Sequence, residues 1–232
     1  MKVAIMQPYF FPYIGYFQLI SSVDLFVIYD NIKYTKKGWI NRNRILRNGT
    51  DCVFTVPLRK DSDSLDVRDR AVAADFDRGK LVNQLREAYR RAPHFPESFP
   101  IVEQAVMAPR DNLFEYVHGS VVDVCRHLGI GTRIVPSSTF AIDAALKAQD
   151  KVLALCEAAG ASMYVNAIGG QELYSREHFL ARSVALKFLK THAIEYAQFG
   201  DPYVPWLSII DVMMFNPVAR IREFLETRYE LI

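Results

Sequence analysis

The sequence predicts a Rossmann-like α/β fold, a mainly parallel sheet flanked by helices and carrying a helical elaboration. Three observations support it. Short apolar runs rich in β-branched and aromatic residues alternate with segments of helical periodicity along most of the chain. The first three, Lys2 to Met6, Tyr13 to Ser22 and Asp24 to Tyr29, read as strand, helix and strand within about thirty residues, the size of a βαβ unit. The second of these strands is apolar on both faces, as a parallel strand covered on two sides should be.

Residues 51 to 57 read as a third strand ended by Pro57, because proline cannot donate to a ladder. From Leu58 to Arg70 charge is dense and apolar residues are few, so an exposed loop is expected. Three helices follow: Asp77 to Arg91, with Leu81, Leu85 and Ala88 on one face; Phe99 to Met107, after a break at Ala92-Pro93-His94-Phe95-Pro96; and Asn112 to Leu128, with Asp111 as its expected N-cap and Gly129 as its stop. They make a mainly helical insertion at about 76–129 in a single domain spanning 1–232. Alternation then resumes. Thr132 to Val135, Ser162 to Asn166 and Val184 to Leu189 read as strands, separated by helices from about Ala145 to Ala159, before Gly160, and from Ser175 to Ala181. Two helices close the chain, Ser208 to Phe215 and Pro217 to Tyr229, the second opened by a proline suited to a first helical turn.

Composition narrows the function classes. Of 232 residues 50% are hydrophobic and 23% charged, which is globular composition and excludes extensive disorder. A net charge of +2 is far from the basic bias of a dedicated nucleic-acid binder, but it leaves small anionic ligands open. Cys52, Cys125 and Cys156 are odd in number, widely spaced and set in apolar runs, so they read as buried thiols of a reducing compartment. The apolar stretch at residues 1 to 22 contains Gln7, Pro8 and Pro12 and makes a poor signal peptide; no stretch reaches the length of a membrane span. A cytoplasmic protein is expected. The five histidines show no metal-ligand spacing, no metal or cofactor is named by the sequence, and a homo-oligomer is one of the states it allows.

The stretch from Met6 to Phe17 is the richest in chemistry. Pro8 and Pro12 interrupt regular structure between the first strand and the first helix, where the crevice of an open α/β sheet collects ligands. Gln7, Tyr9, Tyr13, Gly15 and Tyr16 are its candidate binding residues, Gly15 because a missing side chain lets a ligand approach a helix N-terminus. Close helix packing and an aromatic core are the plain alternative for Gly15 and the tyrosines; Gln7 among apolar neighbours and beside Pro8 tips the loop toward a ligand. The second strand ends at Asp30, a candidate proton acceptor whose plain alternative is capping a turn. Beyond it Trp39, Asn41, Arg42 and Asn43 offer an aromatic face, two amides and a guanidinium suited to a phosphate, a set fitting a sugar nucleotide. Ser137 and Ser138 follow another strand and could hold phosphate oxygens or cap a helix. Asn166, Gly169 and Gly170 occupy the equivalent place on the next strand. Asp211, a charge in an apolar helix, should have a buried partner such as an arginine.

Taken together, Gln7-Pro8-x-x-x-Pro12-x-x-Gly15-Tyr16, the strand ending in Asp30, Asn41-Arg42-Asn43, Thr55-Val56-Pro57, Ser137-Ser138 and Leu207-Ser208-Ile209-Ile210-Asp211 resemble the WbqC-like proteins over essentially the whole chain. Members of that family occur in gene clusters for O-antigen and other surface polysaccharides, so the resemblance implies work on an activated or lipid-linked sugar. A more distant similarity is to nucleotidylyltransferase-like (HUP-like) enzymes, whose His-x-Gly-His turn is matched in place by Tyr13-Ile14-Gly15-Tyr16 and whose serine-rich phosphate loop is echoed by Ser137-Ser138-Thr139. Both histidines are replaced by tyrosines here, which cannot supply positive charge to a phosphate in transit.

The expected function is an enzyme of surface-polysaccharide biosynthesis that binds a nucleotide-linked amino sugar, or another small phosphorylated substrate, and transfers an acyl or aminoacyl group to it. Asp30 is the expected proton acceptor and Arg42 the expected phosphate anchor. The alternatives are an ATP-dependent nucleotidylyltransferase or ligase, and a non-catalytic sugar-binding or scaffold protein of glycan assembly.

Overall fold

The structure, a computed structural model, describes residues 1–200 and 202–232. Its centre is a six-stranded sheet built from β1 (Lys2–Met6), β2 (Leu25–Ile28), β5 (Arg133–Pro136), β6 (Met163–Ala167), β7 (Ala185–Thr191) and β8 (Tyr229–Leu231), in the order β5-β2-β1-β6-β7-β8. The first five run parallel and β8 pairs antiparallel to β7. Both faces are covered, and the strand sequences show why. Side chains alternate across a strand, so Val3, Ile5, Leu25, Val27, Tyr164, Leu186 and Phe188 pack to one side with α5 (Ala148–Ala158) and α6 (Arg176–Ala181). Ala4, Phe26, Ile28 and Val165 pack to the other, under α1 (Ile14–Ser21), α7 (Ile209–Phe215) and α8 (Val218–Thr227).

The chain between β2 and β5 builds the rest of that second layer. It contains α2 (Arg78–Tyr89), α3 (Phe95–Met107) and α4 (Leu113–Leu128), which share one apolar core with α1, α7 and α8. Helix α3 starts four residues before its expected first residue, because Pro96 sits in the first turn, where a missing N–H costs nothing. The N-cap of α4 is Asn112, which accepts from the Glu115 N–H at 3.1 Å, and not Asp111; Gly129 ends the helix with φ of 70° as expected.

Two further expectations are corrected. Residues 51–57 do not join the main sheet: β4 (Thr50–Thr55) pairs antiparallel with β3 (Arg42–Arg47) as a separate hairpin, and its turn is Asn48-Gly49 with φ of 52° and 77°. The stretch from Leu58 to Arg70 is not wholly a solvated loop. Val67 is fully buried, and Arg70 is buried with its guanidinium 4.5 Å from the centre of the Tyr34 ring, where it also donates to the Ser62 carbonyl. Among the described residues no helix is long and apolar enough to cross a membrane. Cys125 and Cys156 are buried, with thiols pushed up to about 12 by burial, whereas Cys52 is only half-buried on β4.

Candidate functional site

In an open parallel sheet, ligands bind beyond the carboxyl ends of the strands, where the strand order reverses. Here the reversal lies between β1 and β6. A cleft of about 390 Å³ opens at that point, lined by Gln7, Tyr9, Tyr13, Gly15 and Tyr16 from the β1–α1 connection and by Asn166, Gly169 and Gly170 from the end of β6. Tyr29, Leu173 and Tyr174 complete its walls, and sequence reasoning had singled out none of these three.

The loop that carries the first group has almost no freedom. Asn43, buried on β3, donates its amide to the carbonyls of Phe10 and Phe11 at 3.0 and 2.9 Å and accepts from the Arg44 N–H at 2.9 Å. Ser208 Oγ donates to the Phe11 carbonyl at 2.7 Å, and the Ile209 N–H to that of Pro12 at 2.9 Å. The Phe10 N–H reaches the carbonyl of Trp39 at 3.2 Å. These bonds hold Phe11 at φ of 41°, a conformation that a bulky side chain adopts only when its surroundings impose it. Tyr16 is buried and its hydroxyl donates back to the Gln7 carbonyl at 2.8 Å, so it braces the loop. Gly15 is required by packing: an added Cβ would strike the Tyr13 ring and lie 2.6 Å from Thr191 Oγ1.

The cleft is electrically neutral. No residue lining it carries a formal charge, and burial holds the hydroxyls of Tyr9, Tyr13, Tyr29 and Tyr174 above the ordinary phenol range, so they stay protonated at neutral pH. Asn166 is 5% exposed, and its amide makes no hydrogen bond to any described residue; the Gln7 amide is likewise unpaired on the wall. Gly170 lets Asn166 lie against the turn, since a Cβ there would collide with the amide nitrogen. Gly169 and Gly170 belong to the first residues of a 3-10 turn, Ile168–Leu173, whose leading N–H groups have no partner within it. Aromatic faces, unpaired amides and free backbone donors without charge form a surface suited to a hydroxylated, uncharged ring.

The remaining candidates lie elsewhere. Asp30 is 4% exposed. Its Oδ1 accepts from the Ser138 N–H at 2.9 Å and lies 2.8 Å from Ser137 Oγ, while its Oδ2 accepts from Ser138 Oγ at 2.5 Å. Asp30, Ser137 and Ser138 thus brace one another across the ends of β2 and β5. Lys151 lies beside this brace, donating to the Asn31 carbonyl and side-chain oxygen at 2.9 and 3.0 Å; burial lowers its pKa, with Asp66 and Asp30 opposing. Asn41 donates to the Val56 carbonyl at 2.7 Å and accepts from the Tyr34 hydroxyl. The Arg42 guanidinium is taken up by the carbonyls of Lys37 and Gly38 at 2.6 and 2.9 Å, and neither Arg42 nor Asp30 lines the cleft. Asp211 is fully buried, as its setting required, but its partners are the hydroxyls of Tyr89 and Tyr196 and the Gln198 amide at 2.7–2.8 Å, and no arginine. Among the described residues no group of three or more His, Cys, Asp or Glu is gathered in metal-binding geometry.

The side chains that fix the Phe10–Pro12 turn belong to the short motifs scattered through the sequence, and a model of the WbqC-like protein family matches residues 7–223. The chain belongs to that family. A further relative is the protein named Uncharacterized protein Rv1507c from Mycobacterium tuberculosis, 28% identical over 228 residues and covering 97% of both chains. No solved structure matches this WbqC-like chain.

Proposed function

We propose that this protein binds the sugar ring of a nucleotide-linked amino sugar in the cleft between β1 and β6, in the assembly of a surface polysaccharide. The observation that carries the reading is the Asn166 amide, which belongs to a residue only 5% exposed and opens without a protein partner onto a neutral, tyrosine-rich wall. An amide left to solvent in a narrow cleft is free to bond to a ligand, and sugar hydroxyls bond to amides while the faces of the ring pack on aromatics. The strand order adds support. The five parallel strands, taken in chain order, lie as 3-2-1-4-5, an order in keeping with the similarity to nucleotidylyltransferase-like proteins.

Two fates of the bound sugar are kept. In the first, an acyl or aminoacyl group passes from a thioester or ester donor to the sugar's amine, the C–N bond forming as the donor's C–S or C–O bond breaks and the amine's proton leaving with the thiol or alcohol; Asp30 lies outside the cleft lining, so it would accept that proton only from an amine reaching past the lining. In the second, the protein is a non-catalytic sugar binder; the full engagement of Asp30 by Ser137 and Ser138 and the neutral lining of the cleft favour it. Calorimetric titration with a panel of nucleotide-linked amino sugars, on wild type and Asn166→Ala, tests the shared step. The variant should bind about 2- to 10-fold more weakly, the loss of one neutral hydrogen bond. No binding of any panel member by either protein sinks the reading. Mass spectrometry of the sugar after incubation with thioester and aminoacyl donors then separates transfer from binding alone.

A further inference from the structure

A second opening adjoins the cleft. It measures about 210 Å³ and shares Tyr9 and Tyr13 with the cleft as common wall; Trp39, Arg44 and Trp206 form its other sides. Its chemistry differs from that of its neighbour. Trp39 and Trp206 are 37% and 58% exposed, a costly way to leave two large rings. The Arg44 guanidinium lies 5.6 Å from the Trp39 ring centre and donates to the Trp206 carbonyl at 3.1 Å, so one cation ties the Trp39 indole to the backbone of Trp206. Arg42 lies 5.7 Å from the same Trp39 ring. Arg44 also meets Asp51 at 3.2 Å, but that carboxylate is 47% exposed and the pair is screened by solvent; Arg44 Nε is sealed from solvent without any partner. Trp206 is held at φ of 60°, and the bonds of Ser208 to Arg44 and Phe11 fix the chain just beyond it. Such strain in a bulky residue persists only when its surroundings over-determine it, and it clusters at ligand sites.

We propose that this groove seats the nucleoside diphosphate half of the activated sugar, with the base stacked on the Trp206 and Trp39 indoles and the diphosphate facing Arg44. The proposal rests on the sugar reading of the cleft and extends it. A ligand with one neutral hydroxylated end and one anionic end bearing a flat ring matches a neutral chamber and a cationic aromatic groove that meet along Tyr9 and Tyr13. Indoles accept any base face, and guanidinium groups bind phosphate oxygens in a fixed fork.

The protein contains two tryptophans, and both line this groove. Intrinsic indole fluorescence therefore reports its occupancy directly. Titration with UDP, dTDP, CDP, GDP and ADP should give saturable quenching by at least one of them, with the matching nucleoside weaker. In Trp206→Ala, read through Trp39, the dissociation constant should rise about 5- to 150-fold, as loss of one stacked base gives. Trp206→Phe should fall between the two and serves if the alanine variant does not fold; Arg44→Gln should weaken the diphosphate more than the nucleoside. Absence of quenching by all five, while free glucosamine still shifts the Asn166 amide resonance, overturns the groove assignment and leaves the sugar reading standing. Equal quenching in wild type, Trp206→Ala and Arg44→Gln overturns it too, as does quenching by a polyprenyl diphosphate alone.

Discussion

Replacing Asn43 by alanine removes one short side chain and should cost far more than its size suggests. The Asn43 amide bonds to the Phe10 and Phe11 carbonyls and to the Arg44 N–H. Phe11 keeps Ser208 Oγ at 2.7 Å, so its carbonyl is not orphaned. The Phe10 carbonyl and the Arg44 N–H lose their side-chain partner inside a site where Asn43 itself is 6% exposed. At about 1–3 kcal/mol for each buried group left unpaired, the variant should lose roughly 2–6 kcal/mol, a large share of the roughly 5–15 kcal/mol that holds an ordinary domain. Asn43→Asp should be worse than alanine at neutral pH. It keeps the acceptor for Arg44 but turns a donor facing two carbonyls into a negative charge. Urea unfolding followed by far-ultraviolet circular dichroism, with the slope checked for constancy, measures both. A loss under about 0.5 kcal/mol for Asn43→Ala, within the range of ordinary surface changes, would refute the claim that this amide fixes the Phe10–Pro12 turn.

The hairpin turn offers a case in which backbone conformation acts alone. No atom lies within 4 Å of a Cβ added at Gly49, whose φ is 77°, so Gly49→Ala should lower stability by about 1–2 kcal/mol through left-handed strain without any clash; an unchanged urea midpoint would contradict it. Asp211 offers a pH signature. Burial raises its pKa despite three hydrogen-bond donors. An acid with a folded pKa above its unfolded value, about 3.9 for aspartate, binds its proton more tightly when folded. Its contribution is therefore complete below pH of about 4 and declines as pH rises through the folded value. The stability of wild type relative to Asp211→Asn should fall over that interval in thermal melts at stepped pH, and a difference that rises with pH would show the reasoning to be wrong.

The sequence made the main sheet legible because its strands are short runs rich in apolar residues separated by helical periodicity, so β1, β2, β6 and β7 fall within a residue or two of their expected limits. The β3–β4 hairpin could have been read as well, since Asn48-Gly49 between β-capable runs is the strongest short signal for a tight turn. The basic character of residues 42–47 concealed it. Strand β8 is three residues at a sheet edge and has no pattern to detect. The cleft was legible at Gln7 and Asn166, polar residues at the ends of apolar strands. Trp206 was not, because the stretch between β7 and α7 has no periodicity and its place beside Tyr13 depends on tertiary contacts. Asp211 was rightly read as needing partners, but nothing in its helix indicates that Tyr89, 122 residues away, and Tyr196 and Gln198 from the irregular stretch before α7 supply them.

What non-local contacts concealed most thoroughly is the division of labour among the motifs. Asn43 and Ser208 stand 32 and 197 residues from Phe11, yet both end on its carbonyl. Asn41 grips Val56 in both directions, through its own carbonyl and its side-chain amide. Asp30 and the serine pair close the far end of the sheet. These pieces touch one another more than they touch the cleft, whose own wall is made by Gln7, the tyrosines and the β6 turn. The buried hydrogen bonds hold a turn that keeps a phenylalanine in a left-handed conformation, and a loop whose shape is settled in advance loses little conformational entropy when a ligand meets it. The strained turn at Phe11 and the strained tryptophan at position 206 are fixed by the same Ser208, which donates to the Phe11 carbonyl and whose N–H meets the Arg44 carbonyl. One clamp thus sets the positions of Tyr9 and Tyr13, the wall that the cleft and the groove share, and of Trp206, which faces the groove alone of the two.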